Sequence, residues 1–398
     1  MDVEDARTIG RRLMHIRKSR GKSLRVVADL SGGVISASTL SRIENGLRAL
    51  DSRAEIVAIA DVLQIAPSEL TRMPEPTAGN GEGPAVKAVR RALIAVSRND
   101  PSGRVAPVEV LRTRVEALVV AQRQCNHERV GHELPALIRD LHTSLAAGRD
   151  VRDLLAMAVL LHVQGSHAFL GEMGASGDLC WQTATLAAQF AREHGGPEIL
   201  GLATFGAANG LLAAGEFDMA QAELDSLPAL PTTTGTAKQL EGMLALSRSL
   251  VAAADKRPGD VDAPLEYAAE LASRTGEGNA YWLSFGPTNV GVWRLGVALE
   301  ARDFTKAAGV AEGLQPQLLS SATRRATYWA NYGRALARIR GRQDDAVRAL
   351  RKAELISPAR VLRNPFVREV LAVLLARSRR DAVGRELRGM AYRAGLLV

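Results

Sequence analysis

The chain has 398 residues, 46% of them hydrophobic and 24% charged, which suits two or three domains that each bury a core. No run of about 18 apolar residues is free of charge or glycine, and the acidic start MDVEDARTIG does not resemble a signal peptide. These features predict a soluble, cytoplasmic protein. The two cysteines, Cys125 and Cys180, are too few for a disulfide framework, and we expect buried thiols.

The net charge of +8 is concentrated near the N-terminus. Residues 7–53 contain 11 Lys or Arg against 3 Asp or Glu, whereas the other 40 basic and 40 acidic residues cancel. A short segment with all of the excess positive charge is typical of modules that bind a polyanion, because neutralised phosphates release counterions. A basic surface that is merely solvated would carry the same charge.

Residues 1–72 are predicted to form a domain of five short helices. Apolar residues on one face define the first helix, which Gly21 ends: Ile9, Leu13 and Ile16. Ser23 is a predicted N-cap of LRVVADL, and Ser36 is a predicted N-cap of the next helix. Residues 54–64 form an amphipathic helix, and the PSEL sequence at 67–70 opens a short last one.

The second and third of these helices resemble the helix-turn-helix of the lambda-repressor-like (XRE-type) family. The resemblance rests on the stretches SLRVVA and SASTLSRIENG, in which the matching positions are Val27, Ala28, Leu40, Ile43, Glu44, Asn45 and Gly46. It implies that the second helix enters the DNA major groove and that a homodimer binds a palindromic operator on double-stranded DNA. The turn before Ser36 is about two residues longer than the common form of this family.

The outward face of this second helix consists of short or polar side chains. Arg42 can offer a bidentate fork to guanine, and the backbone amides at the two N-caps, with Arg25, can bind phosphate. Arg48 and Arg53 are expected at flanking phosphates. The predicted DNA-binding residues are Ser23, Leu24, Arg25, Ser36, Ala37, Ser38, Thr39, Ser41, Arg42, Asn45, Arg48 and Arg53. The alternative is a helix-turn-helix used only for packing or protein contact.

Residues 73–84 are predicted to be a flexible linker, because this segment is rich in Pro and Gly and has no apolar periodicity. Three glycines, Gly79, Gly81 and Gly83, evoke a phosphate-binding loop. No predicted strand precedes them, however, and no Lys-Ser or Lys-Thr follows. We therefore expect no nucleotide site in the linker.

Residues 85–398 are predicted to be a helical repeat domain, so the fold class is all-α. Alanines after recurring turns, at Ala184, Ala220, Ala263, Ala307 and Ala346, are 36, 43, 44 and 39 residues apart. Helix pairs with such a period indicate an α-solenoid, and the units resemble divergent tetratricopeptide repeats.

The whole architecture resembles a large group of actinobacterial transcription regulators, and also peptide-sensing quorum regulators of Gram-positive bacteria. The resemblance implies that the repeat domain binds an effector, a peptide or small molecule, and supports dimerisation. Asparagine side chains can pair with an amide, and aromatic ones supply apolar contact. The candidate ligand-binding residues are Asn209, Asn289, Trp293, Arg294, Tyr328 and Asn331. Helix capping or inter-repeat bonding is the alternative role for the asparagines.

No motif of an enzyme, a cofactor site or a metal site emerges from the sequence. GHELPA has Ala136 where a zinc-protease helix has its second histidine, and Cys125 and His127 would point to opposite sides of a helix. His162 and His167 are expected to pack in a helix interface. The competing function is a protein-interaction scaffold, such as an antitoxin-like or sigma-factor-binding module, whose repeat groove holds a partner protein.

Overall fold

The structure is a computed structural model that describes residues 8–71, 83–378 and 381–396. Within these ranges every regular element is helical, which confirms the predicted fold class. The predicted linker at 73–84 lies almost wholly outside the described residues. The N-terminal helices are α1 (Ile9–Ser19), α2 (Leu24–Leu30), α3 (Ala37–Glu44), α4 (Arg53–Leu63) and α5 (Pro67–Thr71).

The C-terminal part continues with seventeen further α-helices in the described residues. They are α6 (Pro84–Ser97), α7 (Val108–Arg123), α8 (His127–Ala146), α9 (Val151–Leu160), α10 (Ala168–Glu172), α11 (Gly177–His194), α12 (Pro197–Ala214), α13 (Phe217–Ser226), α14 (Gly235–Ala254), α15 (Asp262–Thr275), α16 (Pro287–Glu300), α17 (Phe304–Glu312), α18 (Ala322–Leu336), α19 (Gln343–Ile356), α20 (Pro358–Leu362), α21 (Pro365–Ala376) and α22 (Ala382–Arg393). A π-helix, Leu161–His167, joins α9 to α10.

The five N-terminal helices enclose a small core of their own, as predicted. Its fully buried side chains include Leu13, Leu40, Ile59 and Leu63. Aliphatic residues at helical spacing bring these helices together, because burying each such side chain contributes about 1.5–3 kcal/mol.

The C-terminal helices form a series of hairpins. The pairs α12/α13, α14/α15, α16/α17 and α18/α19 each pack internally, and α12, α14, α16 and α18 pack one against the next. We call these four the inner helices. Ala184, Ala220, Ala307 and Ala346 are buried between helices as predicted, but Ala263 is exposed and Ala268 takes the buried position in α15. The predicted alanine is wrong there because a 3-10 turn at Pro258–Asp260 lengthens this unit.

The series of inner helices closes into a ring. Helix α18 packs against α7, about 200 residues earlier in the chain, and the π-helix links α7 to α12. Hydroxyl groups make the closing bonds: Thr323 Oγ1 donates to the carbonyls of Gln122 and Arg123 at 3.3 Å, and Ser321 Oγ donates to the latter at 3.3 Å. We call this contact between α7 and α18 the seam.

The stretch Val151–Glu172 is long and apolar enough to cross a membrane by length and composition alone. However, 72% of its most apolar window is buried against the rest of the protein, as expected for a core helix. Its π-helical part buries His162, whose ring nitrogen lies 2.9 Å from that of His142, and His167 contacts the carbonyl of Cys180. Both histidines therefore pack between helices, as predicted.

Candidate nucleic-acid interface

Two serines start the helices of the predicted reading motif. Ser23 Oγ accepts a hydrogen bond from the amide of Val26 at 3.2 Å, and Ser36 Oγ accepts one from the amide of Thr39 at 3.2 Å. Both serines have extended backbone angles, which is the geometry of an N-cap. Each cap leaves other amides of its first turn free to meet an anion, so both helix starts can bind phosphate.

Apolar side chains anchor α3 from behind. Leu40 and Ile43 are buried, and Val27 of α2 is buried with them. Helix α1 crosses α3 so closely that a Cβ atom at Gly10 would lie 2.2 Å from the Ile43 carbonyl oxygen. Only glycine permits this approach, which fixes α3 against α1.

A buried ion pair holds the carboxyl end of α3. The Arg17 guanidinium donates to both oxygens of Glu44, at 2.6 and 2.7 Å, and to the carbonyl of Lys22 at 2.7 Å. These bonds to Glu44 raise the pKa of Arg17. A bidentate ion pair with such low exposure fixes the orientation of the two side chains as well as their distance. Helix α3 is therefore held rigidly against α1.

The opposite face of α3 is the exposed surface that we call the ridge, formed by Ser36, Ala37, Ser38, Thr39, Ser41, Arg42 and Asn45. Ser38, Arg42 and Asn45 are exposed, whereas Ala37, Thr39 and Ser41 are half-buried. Asn45 Nδ2 donates to the carbonyl of Ser41 at 2.8 Å. Arg42 has no ion-pair or hydrogen-bond partner within residues 8–71, 83–378 and 381–396. The ridge is therefore narrow, polar and cationic, with its arginine available to a ligand.

The family model of a helix-turn-helix domain matches residues 8–73. The N-terminal domain is a helix-turn-helix domain. Neither the curated proteins nor the solved structures contain a match to the chain. The geometry of the matched residues agrees with the family, because α2 and α3 pack through buried apolar residues and leave one helix face exposed.

Two predicted phosphate contacts, Arg48 and Arg53, lie at internal ion pairs in this structure. Arg48 Nη2 is 2.6 Å from Glu55 and its side chain is only 10% exposed, while Arg53 pairs with Glu300 of α16. Sequence reasoning missed the Arg53 pair because Arg53 and Glu300 are 247 positions apart, whereas Arg48 and Glu55 are only seven positions apart. Both arginines hold the helix-turn-helix domain together or attach it to the ring.

Other basic residues of the helix-turn-helix domain remain at its surface. Arg11, Lys18, Arg20 and Arg25 are exposed, and Lys22 is half-buried. Arg25 makes only an exposed 3.8 Å ion pair with Asp29, which contributes little. The positive charge around the start of α2 is therefore smaller than the count of Lys and Arg in residues 7–53 indicates. It lies next to the N-terminus of α2, which we expect to contact a phosphate.

The helix-turn-helix domain rests on one rim of the ring, through α4 and the segment before it. Arg334 and Arg338, at the carboxyl end of α18, donate to the carbonyls of Asp51 and Ala49 at 2.9 and 2.8 Å. At the carboxyl end of α16, Arg302 pairs with Glu55. We call this contact the rim interface.

Further contacts extend the rim interface. Val57 of α4 lies close to Gly215 at the end of α12, and Phe366 of α21 packs against the core of the helix-turn-helix domain. The Arg53 guanidinium lies 5.3 Å from the Phe366 ring centroid, a cation–π contact. Glu369 of α21 accepts a hydrogen bond from the Ile9 amide. The ridge on α3 lies outside these contacts and remains exposed.

Three of the predicted ligand-binding residues already make hydrogen bonds within the protein. Asn209 Nδ2 donates to its own helix at Phe205, Asn331 accepts from Arg334, and Tyr328 donates to the carbonyl of Ala311 at 2.9 Å. These three serve packing within and between repeats, which was the alternative role for the asparagines. Arg294 is exposed, one residue away from buried Trp293.

Asn289 and Trp293, both on α16, are the two members of the predicted ligand set that keep unmet hydrogen-bonding capacity. Asn289 is fully buried, and its Oδ1 has no partner among the residues described. The indole Nε1 of Trp293 likewise has none within them. Both residues were selected from the sequence for their side-chain chemistry, and the fold buries these two atoms unpaired.

Proposed function

We propose that the protein is a sequence-specific DNA-binding transcriptional regulator, cytoplasmic and non-enzymatic, that acts as a homodimer on a palindromic operator. The observation that carries this proposal is the ridge: a capped, rigidly anchored helix that exposes Ser38, Arg42 and Asn45 and belongs to a matched helix-turn-helix domain. One such domain contacts only a few base pairs, so two copies are needed for operator-level specificity.

The residues of the ridge have distinct roles in this proposal. Short side chains let α3 lie deep in the major groove, where the Arg42 fork contacts guanine O6 and N7. Ser36 and Ser38 contact base edges or phosphate. The amides at the start of α2, with Arg25 and the neighbouring Lys18, bind the phosphate backbone and set the register.

The repeat domain is proposed to bind an effector that alters DNA affinity. The rim interface supports this proposal, because the carboxyl ends of α12, α16 and α18 all contact the helix-turn-helix domain. A ligand that changes the relative positions of these inner helices must also change their contacts with the helix-turn-helix domain. Such a ligand favours the orientations of the helix-turn-helix domain in which it binds more tightly, and so shifts the population towards them.

The ring disfavours the competing scaffold function. A scaffold needs an open concave groove for a folded partner, whereas the bonds between α7 and α18 close this groove along the seam.

The direct test replaces Arg42 by alanine. Binding of the full chain to a selected duplex should weaken by about 1–3 kcal/mol, with one base preference relaxed, as measured by fluorescence anisotropy. Lys18→Ala is the matched control, because a phosphate contact weakens binding to every sequence alike and lowers the salt dependence by about one counterion. If the unmodified protein binds no duplex at moderate salt, the proposed function is wrong.

A further inference from the structure

Three arginines from separate helices converge beside the seam. Arg123 is the last residue of α7, and its carbonyl accepts the hydroxyl hydrogen bond of Thr323 at 3.3 Å. Arg324 follows directly in α18. Arg360 of α20 donates to Thr327 Oγ1 at 3.0 Å, and Thr327 is one helical turn from Arg324 on the same face. We call Arg123, Arg324 and Arg360 the arginine cluster.

The arginine cluster has more positive than negative charge. Glu172 pairs with Arg360 at 2.6 Å and also accepts a hydrogen bond from His127. Arg123 and Arg324 have no carboxylate partner in the parts of the chain that the structure describes. Burial, and then the neighbouring cations, lower the pKa of Arg324 to about 9, while burial lowers the pKa of Arg123 to about 10. The charge of Glu172 opposes both shifts, so the cluster sets three guanidinium groups against one carboxylate, and the Nε atoms of Arg123 and Arg324 are buried without a hydrogen-bond partner in the described residues.

Buried hydrogen-bonding groups lie against the same cluster. The Arg324 guanidinium lies 5.5 Å from the ring centroid of Trp293, whose Nε1 has no partner among the residues described. Gln122 precedes Arg123 in α7 and is 1% exposed, and both polar atoms of its amide lack partners in the same ranges. A buried polar group without a partner costs about 1–3 kcal/mol, so a ligand that bonds to these groups gains affinity from them.

The outer side of the seam is open to solvent. A pocket of about 470 Å³ is lined by residues 125–128 and by Met173, Pro358, Ala359, Leu362 and Arg363. Arg360 and Glu172 lie next to these residues in the chain, so the pocket adjoins the arginine cluster. A small molecule has a place to approach from here.

We propose that the arginine cluster, with Gln122 and Trp293, binds a small organic anion carrying two negative charges on oxygen, a dicarboxylate or a phosphate monoester. Three guanidinium groups against one carboxylate leave an excess of two positive charges, which matches two negative charges on the ligand, and the planar fork of arginine fits carboxylate and phosphate oxygens bidentately. The indole N–H and the Gln122 amide bind a further polar group of the ligand. This inference rests on the proposed function, and it specifies the chemical class of the effector.

Thermal unfolding of the full chain, titrated separately with succinate and with inorganic phosphate, tests this site. Saturable stabilisation by either anion over chloride at equal ionic strength supports it, and the more effective anion identifies which oxygen chemistry it prefers. If neither anion stabilises the protein in a saturable manner, the proposal is overturned.

The variant Arg324→Gln separates binding from packing. We expect its affinity for the effective anion to fall at least about tenfold, because a charge-assisted hydrogen bond is lost. Without anion its melting temperature should rise or stay unchanged, since a desolvated cation beside two others is removed. A fall in melting temperature with unaltered anion affinity would show a purely structural arginine and contradict the proposal.

Arg340→Gln is the matched control. It lowers the net charge by the same amount, but at an exposed position beyond the end of α18, so its anion affinity should equal that of the unmodified protein. An equal loss in both variants would mean a general charge effect and would overturn the site. These titrations contain no DNA, so failure of duplex binding would refute the regulator while leaving the anion result valid.

Discussion

Glu369 lies in the rim interface as a buried carboxyl group, and its replacement by glutamine should change how stability depends on pH. The side chain is 4% exposed and accepts a hydrogen bond from the Ile9 amide. Burial raises its pKa from 4.5 to about 7, and the nearby Asp51 charge adds to this rise, against the opposing effect of the Ile9 amide and Arg368. Glutamine keeps an oxygen for the amide but carries no charge.

The expected magnitude follows from proton linkage. Because the pKa is higher in the folded than in the unfolded chain, the folded chain binds more protons between pH 4.5 and 7, and the free energy of unfolding falls as pH rises through this range. The carboxylate destabilises the folded state little at pH 5 and by about 3 kcal/mol at pH 8. Glu369→Gln should therefore stabilise the protein by about 2 kcal/mol more at pH 8 than at pH 5.

Urea unfolding of both proteins at pH 5, 6, 7 and 8 measures this effect as a difference, so that groups common to both cancel. Glu354→Gln is a control of opposite sign. Burial alone would raise the pKa of Glu354, but hydrogen bonds from Arg393 and Arg351 outweigh it and lower the pKa. This control should lose stability at neutral pH, and the loss should shrink as pH falls below 4.5. A pH-independent difference for Glu369→Gln would refute the reasoning.

Two further substitutions, each with its own comparison variant, test the contacts that hold α3 in place. Gly10→Ala should destabilise the protein by about 1–3 kcal/mol in urea unfolding, because the new methyl group meets the Ile43 carbonyl, whereas Gly309→Ala, an exposed helical site with no neighbour, should be neutral or stabilising by up to about 1 kcal/mol. Glu44→Ala should cost about 3 kcal/mol, because it leaves the Arg17 guanidinium buried without its partner, and the double variant with Arg17→Met should recover much of that loss. Unchanged stability of Gly10→Ala, or no recovery in the double variant, would contradict the respective packing argument.

The local structure of the reading motif could be predicted from the sequence. Ser23 and Ser36 are N-caps as expected, and Leu40 and Ile43 are buried as expected. Capping and apolar periodicity depend on residues within one or two helical turns of each other, so a linear sequence contains them in full. The exposure of Arg42 follows from the same periodicity.

The long-range contacts could not be predicted in this way. The pairing of Arg53 with Glu300 and the bond from Thr323 to Gln122 join residues about 200 or more positions apart, and no local pattern distinguishes those partners from other charged or hydroxyl residues. The basic count therefore assigned Arg48 and Arg53 to DNA, although the fold uses both internally. The choice of asparagines as ligand-binding residues stays a prediction, whereas the convergence of arginines from α7, α18 and α20 depends on contacts between distant segments and leaves no local pattern.

The seam also affects how the chain folds and how far it can be shortened. In an open array each hairpin contacts only its neighbours, so terminal units fray and can be deleted one at a time. Here the first and last thirds of the array meet through α7 and α18, which adds contacts of very large sequence separation. Such contacts slow folding, since the ends meet only after the intervening hairpins have formed, and they couple the ends energetically. Deleting the last of the named hairpins, α18/α19, should therefore weaken the packing of α7, about 200 residues earlier, because the two ends unfold as one cooperative unit.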